Sequence, residues 1–186
     1  MRALFMGLLL LTACSQPATT VWDESNPFQS PSVGDRVRLL EPIKLPPETT
    51  RMFLQNGELM VRHAFDQYQV HCNFEVRTLL SEPQTIQPDE FIISRVQALM
   101  VDIVKREQPA RGGLMRVSMD DGGATMVTRG YHLWLDSEQQ PDVMRLSCRG
   151  AFDTMPYATP PSIQEIRQAL GSYARLVTNP AEAGSQ

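Results

Sequence analysis

Beyond its first dozen residues this 186-residue chain has no apolar run near the roughly 20 residues that a membrane-spanning helix needs. Positive charge is in short supply as well. Seventeen Lys and Arg face 21 Asp and Glu, a formal charge of −4. That balance leaves no basic patch for nucleic acid and no basic amphipathic arm for anionic lipid. Motifs with a built-in mechanism are missing too: there is no His-Glu-x-x-His, no Gly-x-Ser-x-Gly and no glycine-rich phosphate loop. No feature argues for an enzyme, and the sequence asks for no cofactor. Cysteine is scarce, at three residues, as is histidine, also at three. No internal repeat is present.

What is there begins at the N-terminus. Arg2 precedes the apolar run Ala3 to Leu10, and small residues follow, the pattern of a secretory signal. Leu11-Thr12-Ala13-Cys14 resembles the lipobox of bacterial lipoproteins. The resemblance implies that residues 1–13 are removed and that Cys14 is diacylated on sulfur, becomes the new N-terminus and is then N-acylated. Each buried methylene contributes about 0.8 kcal/mol, so two or three acyl chains would anchor the body without a transmembrane helix. Ser15 follows the cysteine in place of aspartate. In lipoproteins of double-membraned bacteria that pattern implies the outer membrane, with the body facing the periplasm. The competing reading is an ordinary signal whose cleavage site happens to precede a cysteine.

Lipidation of Cys14 would leave Cys72 and Cys148, an even pair in an oxidising compartment, which reads as one disulfide. In the chain-entropy model a loop of that length is worth up to about 4 kcal/mol. A catalytic or metal-binding thiol is the alternative.

Residues 14–33 are rich in Ser, Thr, Pro and Gln and read as a flexible tether. Trp22 and Phe28 within it are placed to dock on the domain, sit at the lipid interface or touch a partner. A single domain is expected over 34–178, with a disordered tail at 179–186. Alternation marks strands at Asp35–Leu40, Arg51–Gln55, Leu59–Phe65 and Val70–Val76, with Asn56-Gly57 as a hairpin turn. Pro42, Pro46 and Pro47 argue against regular structure between the first two, and 81–90 reads as a polar loop. Phe91–Val104 fits both helix and strand patterns and is read as strand. Leu114–Met119 and Ala124–Leu135 flank an Asp120-Asp121-Gly122-Gly123 turn, with Gly130 a candidate bulge. Val143–Arg149 places Met144, Leu146 and Cys148 on one face. Ser162 and Glu165 form a capping box for a helix carrying Ile163, Ile166, Leu170, Tyr173 and Val177 and ending at Asn179-Pro180. Strands outnumber helices about eight to one, so the expected fold is mainly β, an antiparallel β-sandwich or open barrel with one C-terminal helix.

Candidate chemistry meets plainer explanations. His71-Cys72 is not a thiol dyad on a strand, where adjacent side chains point to opposite faces. Asp120-Asp121-Gly122-Gly123 lacks the alternating oxygen ligands of a calcium loop. His63, His71 and His132, with Asp66, have no spacing that requires a metal, and none is assigned. The ten methionines are scattered, several at strand positions such as Met115, Met119, Met126 and Met144 where they would fill core gaps.

Leu54-Gln55-Asn56-Gly57, Asp66-Gln67-Tyr68 with His71-Cys72-Asn73-Phe74-Glu75-Val76, and Pro83 to Pro88 together resemble small uncharacterised proteobacterial lipoproteins. The similarity covers the middle third of the chain. It implies no activity and no site residues, but agrees with a double-membraned source. The leading expectation is therefore a non-enzymatic binding or accessory module for an envelope protein or cell-wall component. Its candidate surface is the outward face with His71, Asn73 and Glu75, plus Gln84 and Gln87 in the loop, since function often sits on loops held by a rigid sheet. A carrier of a small apolar ligand such as a lipid, and an envelope hydrolase with a cryptic site, are the alternatives.

Overall fold

The computed structural model describes residues 29–102 and 126–178. The signal, Cys14, Trp22, Phe28, the strand expected at Leu114–Met119 with its following turn, and the tail lie outside the described residues. So does most of the tether.

The architecture is mainly β. A curled antiparallel half-barrel sheet is accompanied by one helix near the C-terminus, and Cys72 is bonded to Cys148. The strands are β1 (Arg36–Leu39), β2 (Ile43–Leu45), β3 (Arg51–Gln55), β4 (Glu58–Met60), β5 (His71–Val76), β6 (Gln84–Ile86), β7 (Asp89–Asp102), β8 (Met126–Asp136), β9 (Val143–Arg149), β10 (Asp153–Thr154) and β11 (Ala174–Val177), with helix α1 (Ile163–Leu170) before the last. The main sheet runs β11-β1-β7-β8-β9-β5-β3-β4, and β10 pairs with β8 off that path. β2 and β6 form a separate two-stranded sheet.

Several expectations need correction. The proline-flanked stretch does hold a strand, because Pro42, Pro46 and Pro47 sit outside β2 and leave Ile43–Leu45 free to pair with Gln84–Ile86 in the supposed loop. The return strand is only Glu58–Met60. The helix stops at Leu170, where Gly171 adopts φ +56° and caps it, and the chain resumes as β11 against β1. Tyr173 and Val177 therefore do not belong to the helix. Gly130 lies in unbroken register, and the bulges fall between Ile93 and Arg95 and between Glu75 and Val76. The second bulge makes Val143, and not Met144, the core residue beside Leu146 and Cys148.

The core fills the inside of the curl. Phe74, Phe91, Leu54, Leu133, Leu135 and Leu146 are fully buried there. The capped helix lays Ile163, Ile166, Ala169 and Leu170 across the opening. The β3–β4 turn has φ +51° at Asn56 and +78° at Gly57, the backbone of a tight hairpin. It docks on the helix end through Gly57 N–H to Ala169 O at 3.1 Å. A Cβ on Gly171 would lie 2.3 Å from Gly57 Cα, so only glycine fits this junction.

Candidate polar face

Alternation along each central strand sends one set of side chains into the core and the other set to the opposite face. On that opposite face the register aligns rungs of residues from widely separated parts of the chain. The first rung is Arg51, Glu75, Arg145, Trp134 and Arg95, across β3, β5, β9, β8 and β7. The second is Phe53, Asn73, Ser147, His132 and Gln97. The third runs His71, Arg149, Gly130 and Leu99.

In the first rung Glu75 is held from both sides. Arg51 donates Nε–H to its Oε1 at 2.8 Å, and Arg145 donates Nε–H to its Oε2 at 2.7 Å. Burial pushes the Glu75 carboxyl up, but the bonds and charges of Arg145 and Arg51 more than offset this and hold it below the usual carboxylate range. The Trp134 ring lies between the Arg95 guanidinium, 4.1 Å from its centroid, and that of Arg145 at 5.3 Å.

In the second rung His132 Nδ1 and Ser147 Oγ share a hydrogen bond of 2.7 Å. Burial, followed by the charges of Arg145 and Arg149, depresses the His132 pKa to about 4, with Glu75 opposing. The ring is therefore neutral at neutral pH. Asn73 is 4% exposed, and its side chain makes no hydrogen bond to a described residue.

In the third rung the Arg149 Nε is buried without a hydrogen-bond partner. Burial lowers the Arg149 pKa, and the charges of Arg51 and Arg145 lower it further. Gly130 beside it admits no side chain, since a Cβ there would meet Cys148 O at 2.1 Å. His71 is lowered from its ordinary value, chiefly by burial, and donates Nδ1–H to Gln69 O at 3.0 Å. Phe65, from the 61–70 loop, covers this end by stacking on Phe53 at 4.3 Å and lying against His71 at 4.5 Å. The loop is pinned by Gln55, whose side-chain amide pairs both ways with the Asp66 backbone at 2.8 and 2.9 Å.

His71, Asn73 and Glu75 thus share a face opposite Cys72, as alternation requires, but that face is not an open surface. They are 2%, 4% and 6% exposed, under arginine side chains and Phe65. Gln84 and Gln87 do not join them. Gln84 donates to Thr78 O and Thr49 O, and the backbone of Gln87 is clamped by the Gln140 amide at 2.8 and 2.9 Å. His63 stands elsewhere, in a groove of about 590 Å³ whose lining also includes Arg51, Phe53 and Arg62. Among the described residues no three His, Cys, Asp or Glu side chains group as metal ligands, and no helix is long and apolar enough to cross a membrane.

Sequence reasoning missed Arg51, Arg145, Arg149, Ser147 and Trp134, and weighed His132 only as a metal ligand. The signal was present in β9: the alternation that turns Leu146 and Cys148 inward turns Arg145, Ser147 and Arg149 the other way. Four arginines and one glutamate give this face a charge of +3 with His132 neutral, in a chain whose total is −4. Comparison with known protein families, curated proteins and solved structures finds no match to this chain.

Proposed function

We propose that the chain is a lipid-anchored binding module, held through Cys14 at the periplasmic face of the outer membrane, that engages an envelope protein or cell-wall component without catalysing a reaction. The supporting observation is the +3 face on an acidic chain. Four arginines from three strands of one face repel one another, and a sheet that needed only stability would not collect them. The interior favours a module over a carrier, because fully buried Phe74, Phe91, Leu133 and Leu146 occupy the space an apolar ligand would need.

The test is photocrosslinking in intact cells from exposed Gln97, on the second rung, with exposed Arg175 on β11 as the remote control. The expected result is one abundant envelope protein or peptidoglycan fragment, captured from Gln97 but not from Arg175, and lost in Cys14→Ser. Equal capture from both positions would move the surface elsewhere. Reproducible capture of nothing, despite correct localisation, would overturn the module reading.

A further inference from the structure

The Arg149 Nε has no hydrogen-bond partner among the described residues, whereas Arg51, Glu75 and Arg145 are bonded to one another. Arginine is rarely buried unless paired, and a buried N–H without an acceptor calls for an explanation. Glu75 acts on Arg149 as a nearby charge but not through a hydrogen bond to its Nε. Both oxygens of Glu75 are taken by Arg51 and Arg145. Asp66 gives Oδ1 to the Tyr68 N–H and Oδ2 to the Gln69 amide.

Beside Glu75, the surroundings of Arg149 are rich in donors. Arg145, Ser147 and Arg149 occupy alternate positions of β9, about 7 Å apart on one face, so two guanidinium groups flank one hydroxyl. His132 stands directly across from Ser147 on one side and Asn73 on the other, each about 5 Å away between Cα atoms. The Asn73 amide is unengaged. Gly130, its partner on β8, contributes no side chain beside Arg149 because the β9 backbone passes too close for a Cβ.

We infer that Arg145, Arg149, His132, Ser147 and Asn73 form a binding site for a single oxyanion group, a carboxylate or a phosphate, carried by the envelope component. An oxyanion accepts the forked N–H pair of a guanidinium along with hydroxyl and amide donors, and it would supply the acceptor that the buried Arg149 Nε lacks among the described residues. The inference rests on the module reading for the source of the ligand, not for the existence of the site.

The experiment follows the Arg149 Nε–Hε resonance of the purified full chain during titration with inorganic phosphate and, separately, with N-acetyl-alanyl-alanine and its C-terminal amide. A saturable shift is expected from at least one oxyanion. Phosphate alone would identify a phosphate-bearing ligand. The dipeptide acid alone, with the amide inert, would identify a peptide carboxylate. Arg149→Met and Asn73→Ala should each weaken binding, the first by at least about ten-fold. Arg149→Met should also melt at or above the wild-type temperature, because it removes a buried N–H that lacks an acceptor. A merely structural arginine would lower it. No saturable shift from either anion up to about 50 mM, well beyond a millimolar Kd, would overturn the inference. So would an amide as effective as the acid, or unchanged affinity in both variants. Loss of anion binding with Gln97 crosslinking intact would remove this site and leave the module. Anion binding without any crosslinked partner would do the reverse.

Discussion

On β9, Leu146 and Cys148 are wholly buried in the core, while Arg145, Ser147 and Arg149 alternate with them onto a face where directed bonds between polar groups join ring and cation–π contacts. The inner face depends on apolar area and close packing, which tolerate shifts as long as volume is kept. The outer face depends on pairing: Glu75 needs both arginines, His132 needs Ser147, and the Arg149 Nε has no hydrogen-bond partner among the described residues. One sheet therefore carries a wall built for stability and a wall that gives up some stability. Uncompensated polar groups of this kind collect where a protein meets something else.

The comparison breaks most sharply on the inner wall. Phe74 is 0% exposed and reaches Phe91 across the core, with ring centroids 6.5 Å apart. Phe74→Ala should cost about 4 kcal/mol through lost burial and a residual cavity. In a chain of this size that is a melting temperature lower by roughly 10 °C, measurable by calorimetry. Oxyanion binding to the folded fraction should persist, since no residue of the outer wall is touched.

Glu75→Gln is the matching lesion outside. The amide keeps the volume but leaves Arg51, Arg145 and Arg149 with no negative charge among them. Breaking a buried pair by removing one partner costs about 3 kcal/mol. Denaturant melts of Glu75→Gln, Arg145→Met and the double variant would show whether the loss comes from the bond or from the charge it leaves behind. A double variant more stable than Glu75→Gln alone is the expected result.

Much of the inner wall could be read from the chain. Alternation in Val70–Val76 and over Leu146–Arg149 placed Cys72 and Cys148 inward, and they meet as directly paired neighbours with Cα atoms 4.1 Å apart. The Ser162 capping box is present as well, with the Glu165 carboxylate accepting the Ser162 backbone N–H at 2.8 Å. The three-residue strands β2 and β6 escaped because each is too short for alternation to stand out and lies between prolines. The outer wall escaped for a different reason. Periodicity tells which residues share a face of one strand, whereas the site is made by register between strands, which joins positions 51, 75, 95, 134 and 145. Burial of His71 depends in addition on Phe65 folding back over it, a contact no local pattern encodes.

Acid separates the walls without a mutation. The unfolded chain takes up a proton on His132 near pH 6.5, while the folded protein resists until about pH 4. Between these values unfolding absorbs a proton, so stability falls as pH drops and the contribution is fully lost near pH 4. With screening by solvent the effect is of order 1 kcal/mol. His71, also lowered, acts in the same direction from pH 6.5 downward. Glu75 has a depressed carboxyl pKa, so its contribution is present above the ordinary carboxylate range and is lost below it, as pH falls through the folded value. Melting temperatures between pH 7 and pH 4 should decline in the wild type and decline less in His132→Gln. An unchanged slope in that variant would place the dependence on His71 instead.

The smallest effect is expected at Trp134, where the outer wall is at its most exposed. Arg95 lies on an exposed position of β7 and covers the ring at 4.1 Å, while Arg145 holds the other side through its bond to Glu75. Cation–π contacts in reach of water contribute about 0.5 kcal/mol, so Arg95→Ala should barely move the melting temperature. It should expose the indole and weaken its bond to Gln97, whose Oε1 accepts the Nε1–H at 3.3 Å. A red shift in the emission assigned to Trp134, with stability nearly unchanged, would show that this edge of the wall can be opened independently of the core. A loss as large as that of Glu75→Gln would instead tie Arg95 into the Glu75 network and extend the cooperative part of the outer wall across all five strands.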